Sequence, residues 1–118
     1  MEWTVEYYRG TKGNEPVADF IDSLPLRVQP KVLRAVEMLS DYGVLLKEPY
    51  TRQVRGKIRE LRIKDDTGNT RVLYFTFTGK RFVLLHAFIK KTDKTPESEI
   101  ATAEKRMKDF VGRFGGAL

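Results

Sequence analysis

The stretch RVLYFTFTGKRFVLLHAFIKK, residues 71–91, leaves few choices of fold. Its first half is apolar at alternate and intervening positions alike, so a strand made from residues 72–77 has two apolar faces and needs cover on both. TGK reads as a reversal, and RFVLLHAFIKK as the strand that returns. The first strand therefore belongs at the centre of a sheet, with a helix on one side and a further layer on the other.

The remainder of the chain supplies those layers. EWTVEYY alternates as a half-buried strand does, with Trp3, Val5 and Tyr7 on one side. Asn14, Glu15 and Pro16 signal a helix start, and Val17, Phe20, Ile21 and Leu24 recur at helical spacing until Pro25. Residues 27–42 carry a second stripe, Val28, Val32, Val36 and Leu39, with Pro30 near its front and Gly43 at its close. In KIRELRIKD the period becomes two: Leu61 and Ile63 point one way, while Ile58, Glu60, Arg62 and Lys64 point the other. DDTGN, with Gly68 and Asn69, reverses the chain into the apolar strand. Thr95 is suited to cap a last helix, Pro96 to open it, and Glu97 and Glu99 to sit at its positive end. Ile100, Ala103, Met107, Phe110 and Phe114 trace its stripe to Gly115 and Gly116. The expectation is an α+β fold: an N-terminal strand and helix pair, an antiparallel sheet of three to four strands, and a C-terminal helix, with the helices on one face. At 118 residues, read as a single domain over 1–118, the chain can bury roughly two-thirds of its unfolded surface.

Composition narrows the function classes. With no cysteine, the chain has no disulfide framework, thiol nucleophile or thiolate metal site. One histidine and scattered carboxylates give no metal-ligand spacing, and Gly10 and Gly13 make no phosphate-cradling loop, so neither metal nor cofactor is expected. No apolar run reaches membrane-spanning length and no signal peptide is visible, which reads as cytoplasmic. The net charge of +6 is uneven: residues 52–94 carry twelve Lys and Arg against four acids, and the rest of the chain is slightly acidic. Clustered cations on an otherwise balanced chain suit a polyanion, because a phosphate backbone rewards them by counterion release.

His86 lies in VLLHAF among apolar neighbours with no second histidine to pair with, and reads as a hydrogen-bonded residue that shapes the sheet, not as a proton carrier. The cations are the better candidates. If the three strands are neighbours, Arg62 and Arg71 lie near one turn, and Lys90 and Lys91 end a strand that runs back to the same edge. Such a cluster can hold a scissile phosphate, stabilise its developing charge and supply a proton to the leaving oxygen. Glu60, or a lysine with a lowered pKa, is the candidate base. Metal-free ribonuclease chemistry through the 2′-hydroxyl needs such a cluster, and Arg55, Lys57, Arg59, Lys64 and Lys94 would extend the RNA contact.

ELRIKDDTGNTRVLYFTFTGKRFVLLHAFIKKTDKTPESEI resembles the signature region of the HigB-like branch of the RelE/ParE toxin superfamily, with an E-L-R strand, an arginine-led apolar strand, an L-L-H-x-F strand and a K-K-T-x-K-T-P run in that order. EPVADFIDSLP and the longer helix after it are similar to the front of that family. The resemblance implies a RelE-like fold and a toxin of a type II toxin-antitoxin pair, a metal-independent, ribosome-dependent messenger RNA endonuclease that inhibits translation. It also implies a HigA-like helix-turn-helix antitoxin, with operator DNA bound only through that antitoxin. Carried over by position, Arg71 is the phosphate-contacting arginine, Arg62 the strand cation, Lys90 and Lys91 the basic strand end, and Glu60 part of the E-L-R element. Relatives in the superfamily often place a catalytic tyrosine or histidine near the C-terminus, and the helix TPESEIATAEKRMKDF has neither. The alternatives are a ParE-like gyrase-inhibiting toxin, which needs no catalytic constellation, and a non-catalytic nucleic-acid-binding module.

Overall fold

The computed structural model describes residues 3–66, 68–77, 80–91 and 94–115. Thr78 and Gly79 of the TGK reversal, Thr67, Thr92, Asp93, Glu2 and Gly116 lie outside the described residues. The elements run β1 (Thr4–Tyr7), α1 (Pro16–Ser23), α2 (Gln29–Tyr42), a 3-10 turn (Gly43–Leu45), β2 (Thr51–Arg55), β3 (Ile58–Asp65), β4 (Gly68–Thr76), β5 (Arg81–Lys90) and α3 (Glu97–Phe114). No helix among the described residues is long and apolar enough to cross a membrane.

The α+β class holds, but the sheet has five strands in the order β1-β5-β4-β3-β2 and is mixed. The expected three to four strands fall short because both edges recruit a further segment. Thr4–Tyr7 pairs in parallel with β5, and TRQVR, too polar to register as a strand by pattern, pairs with β3. The helices also do not share one face. Val17, Ile21, Val32 and Leu39 of α1 and α2 pack with Leu61, Ile63, Val72, Tyr74, Phe82 and Leu84. Ala103 and Phe110 of α3 pack on the opposite side with Ile58, Leu73, Phe75, Val83, Leu85 and Phe88. This is the two-sided cover that the apolar β4 requires, and each large side chain so buried contributes about 1.5–3 kcal/mol.

Two local features aim the sheet. Gly43 closes α2 at φ 57°, and a Cβ there would overlap the indole of Trp3, so only glycine lets β1 dock against the helix end. On β5, Leu73 pairs with His86 but Tyr74 pairs with Leu84, which leaves Leu85 as the extra residue of a bulge. Before the bulge Val83 faces α3. After it the parity has shifted by one, so Phe88 and Lys90 face α3 while Ala87 and Ile89 face α1 and α2.

Candidate nucleic-acid cleft

The registers bring three of the expected residues together, with Asn69 beside them. Arg62 lies directly opposite Arg71, and Asn69 opposite Lys90, all at one end of the α3 face. Opposed like charges on neighbouring strands are unfavourable unless something compensates them. Glu60, 1% exposed, is the compensation: its Oε1 lies 3.7 Å from Arg71 Nε and its Oε2 3.8 Å from Arg62 Nε. Both separations are too long for hydrogen bonds, and the buried Nε atoms of Arg62 and Arg71 have no hydrogen-bond partner. Arg71 Nη1 donates to the Thr70 carbonyl at 3.3 Å. Thr95 does not cap α3. The N-cap is Pro96 without a side-chain cap, and the Thr95 hydroxyl donates instead to Glu60 Oε1 at 3.0 Å. The physical reason is position: α3 starts at Glu97 with Pro96 as N-cap, so Thr95 falls one residue outside the place from which a side chain reaches the first-turn amides.

The cations border a cleft of about 470 Å³ walled by Pro49 and Tyr50 and lined by Arg62, Arg71, Lys90 and Asn69. Lys64 reaches the same cleft. A second hollow of about 450 Å³ lies across Glu60 and Lys90, with Arg52, Arg55, Lys94 and Thr95 around it. Burial pushes the Lys90 ammonium down, against the pull of Glu60, and Arg71, Arg62 and Arg52 push it further the same way. Burial lowers Arg71 as well, with Glu60 opposing and Arg62 and Arg52 adding. The arrangement is a buried cation cluster with one compensating charge, and Lys90 is its member whose ordinary pKa is nearest the physiological range.

Other expected residues lie elsewhere. Lys91 follows the end of β5 and is exposed, so the bulge resolves which lysine faces the cleft. Arg55 is held by Glu97 at 2.9 and 2.6 Å on an exposed surface. Lys57 borders a hollow against Met107 and Val111 of α3. Arg59 sits on the opposite sheet face and donates to Thr51 Oγ1 at 3.1 Å. His86 is partly buried: Arg106 Nη1, which also donates to the Leu85 carbonyl at 2.9 Å, stands 3.2 Å from Nδ1. Since a guanidinium can only donate, Nδ1 accepts, and Nε2 carries the proton directed at Glu99 Oε1. Sequence reasoning missed Arg52, Thr95 as a partner of Glu60, and the wall formed by Tyr50. Only the last had a visible signal, an aromatic beside a proline just before the basic block. Among the described residues, no three His, Cys, Asp or Glu side chains come together as a metal site.

The model of the family "Phage derived protein Gp49-like (DUF891)" matches residues 19–108, and the chain belongs to that family. A stretch of 64 residues is 41% identical to two curated proteins, both called "Probable endoribonuclease HigB1", from Mycobacterium tuberculosis strains CDC 1551 / Oshkosh and ATCC 25618 / H37Rv. The match covers 54% of this chain and 50% of each relative, so the chain spans about half the length of the curated relatives it matches.

Proposed function

We propose that the chain is a HigB-like toxin domain of the RelE/ParE superfamily, acting in a type II toxin-antitoxin pair as a ribosome-dependent messenger RNA endonuclease. The observation that carries this reading is the convergence of Arg62, Arg71 and Lys90 in one cleft, in a chain 41% identical over 64 residues to proteins called probable endoribonucleases. The reaction is attack of the RNA 2′-hydroxyl on the adjacent phosphorus, forming a 2′,3′-cyclic phosphate and expelling the 5′ oxygen, which takes a proton from water. Arg71 and Arg62, which line the cleft, bind the phosphate and take up charge as it develops on the non-bridging oxygens. Lys90, its pKa lowered, accepts the 2′-hydroxyl proton in its neutral form. Glu60 is enclosed by cations and by Thr95, and holds the arginines in place without reaching substrate.

A site whose only base is a lysine is weak on free RNA and gains most from a partner that aligns the 2′-hydroxyl for in-line attack, which suits action on the ribosome. The partners of this reading are messenger RNA on the ribosome and a HigA-like antitoxin that alone contacts operator DNA. Primer-extension mapping of a reporter message in a cell-free translation system tests it with the wild type and Arg71→Ala. Cuts within codons that need translation and vanish in Arg71→Ala are expected. An intact message with the wild type would sink the nuclease reading.

A further inference from the structure

We propose that Tyr50 is a stacking platform for an unpaired nucleobase, seating the adjoining phosphate on Arg62, Arg71 and Lys90. The inference rests on the RNA reading in taking the ligand to be a ribonucleotide, and goes beyond it in assigning the base a surface. Tyr50 is 49% exposed, yet its backbone is fixed. Its N–H donates to the Lys47 carbonyl at 3.0 Å, and its carbonyl accepts the Arg62 N–H at 2.8 Å. The backbone that carries the ring is therefore tied to the very residue whose guanidinium stands in the cleft.

A cleft that held phosphate alone would need only its cations. This one has an aromatic and a proline along one wall, cations on its floor and the Asn69 amide beside Lys90, in a volume at the lower end of the range for small-ligand sites. An apolar plane, cations and an amide in one cleft match base, phosphate and base edge. A base inside a duplex is stacked on both faces and cannot meet Tyr50, so the cleft selects single strands. Tyr42, at 55% exposure, is just as open but does not line the cleft, which makes it the natural control.

The test is fluorescence anisotropy at low salt with a labelled single-stranded 2′-O-methyl oligoribonucleotide, which lacks the attacking hydroxyl. Tyr50→Ala is expected to bind on the order of ten-fold more weakly, in line with the stacking energy of one base. Tyr50→Phe, which keeps the ring, should stay within about two-fold of the wild type, and Tyr42→Ala should not change. A single abasic spacer moved along the oligonucleotide should abolish the difference between wild type and Tyr50→Ala at one position. Equal binding by wild type and Tyr50→Ala, a loss that no abasic position removes, or no binding by the wild type would each overturn the proposal. The nuclease reading fails separately: a wild type that never cuts during translation, yet keeps Tyr50-dependent binding, loses the enzyme and keeps the platform.

Discussion

Two polar clusters lie under or beside α3 on the same face of the sheet, and they are built on opposite terms. At His86, the polar groups are partnered: Nε2–H donates to Glu99, Arg106 donates to Nδ1 and to the Leu85 carbonyl, and the imidazole stacks on Phe88 with centroids 5.7 Å apart. At Arg71, the contacts to Glu60 are long, the arginine Nε atoms have no hydrogen-bond partner, and several cations share one carboxylate. A satisfied network fixes α3 to the bulge of β5, whereas an unsatisfied one stores an affinity for whatever anion completes it. On the proposed function, the first cluster serves stability and the second ligand binding.

The sharpest break of that comparison is Arg71→Ala. Removing a donor aimed at developing charge costs about 10²- to 10³-fold in cleavage rate. The melting temperature should move little, because Arg62 and Thr95 still face Glu60. Rates in a translating extract and a thermal melt of the same preparation decide the point, and a collapsed melt with unchanged cutting would reverse the assignment.

Next in size is Glu60→Gln. Taking the carboxylate from among buried cations costs about 3 kcal/mol of stability, read from denaturant unfolding. It also has a sign in pH. Glu60 holds the Lys90 pKa up, so its loss lets burial and the three arginines push it further down. The rising limb of the pH profile for cleavage, which reports loss of the Lys90 proton, should move to lower pH, and a move to higher pH would exclude Lys90 as the base.

These two clusters also show what a sequence can and cannot disclose. The apolar run at 72–77 announced a central strand with cover on both sides, and the stripe from Ile100 to Phe110 announced α3, because both patterns reflect burial directly. Edge strands were harder: TRQVR pairs through its backbone and carries almost no apolar signal. The cleft was half legible. Strand pairing predicted that Arg62, Arg71 and the lysines converge, but the bulge at Leu85 sets which lysine turns inward, and nothing in RFVLLHAFIKK marks one residue as extra. Glu60 read as part of a charged face, although it is buried beneath Thr95, because the depth of a charge depends on what the following helix start lays over it.

On the satisfied side, Arg106→Ala strips the Leu85 carbonyl and His86 Nδ1 of their shared donor and should cost about 2 kcal/mol, with cleavage unaltered. Chemical denaturation and the translation assay, run together, separate it from Arg71→Ala. Loss of cleavage at full stability would show that the two clusters act as one.

The smallest effect expected on stability runs against intuition. Lys90 is 4% exposed and its pKa lies below the ordinary 10.5, so its charged form is less comfortable in the fold than in the unfolded chain. The folded state therefore binds this proton more weakly. The penalty is present in full below the folded-state pKa and fades as pH rises through that value towards the unfolded one. Lys90→Met should thus abolish cleavage yet stabilise the protein at neutral pH by about 1 kcal/mol, since Arg62 and Arg71 remain to balance Glu60. The gain in melting temperature should shrink on going from neutral pH to about pH 10, as the wild-type amine sheds its proton. A methionine variant less stable than the wild type at neutral pH would mean that the lysine secures the fold, and the division between a satisfied cluster and a strained one would fail at its most buried lysine.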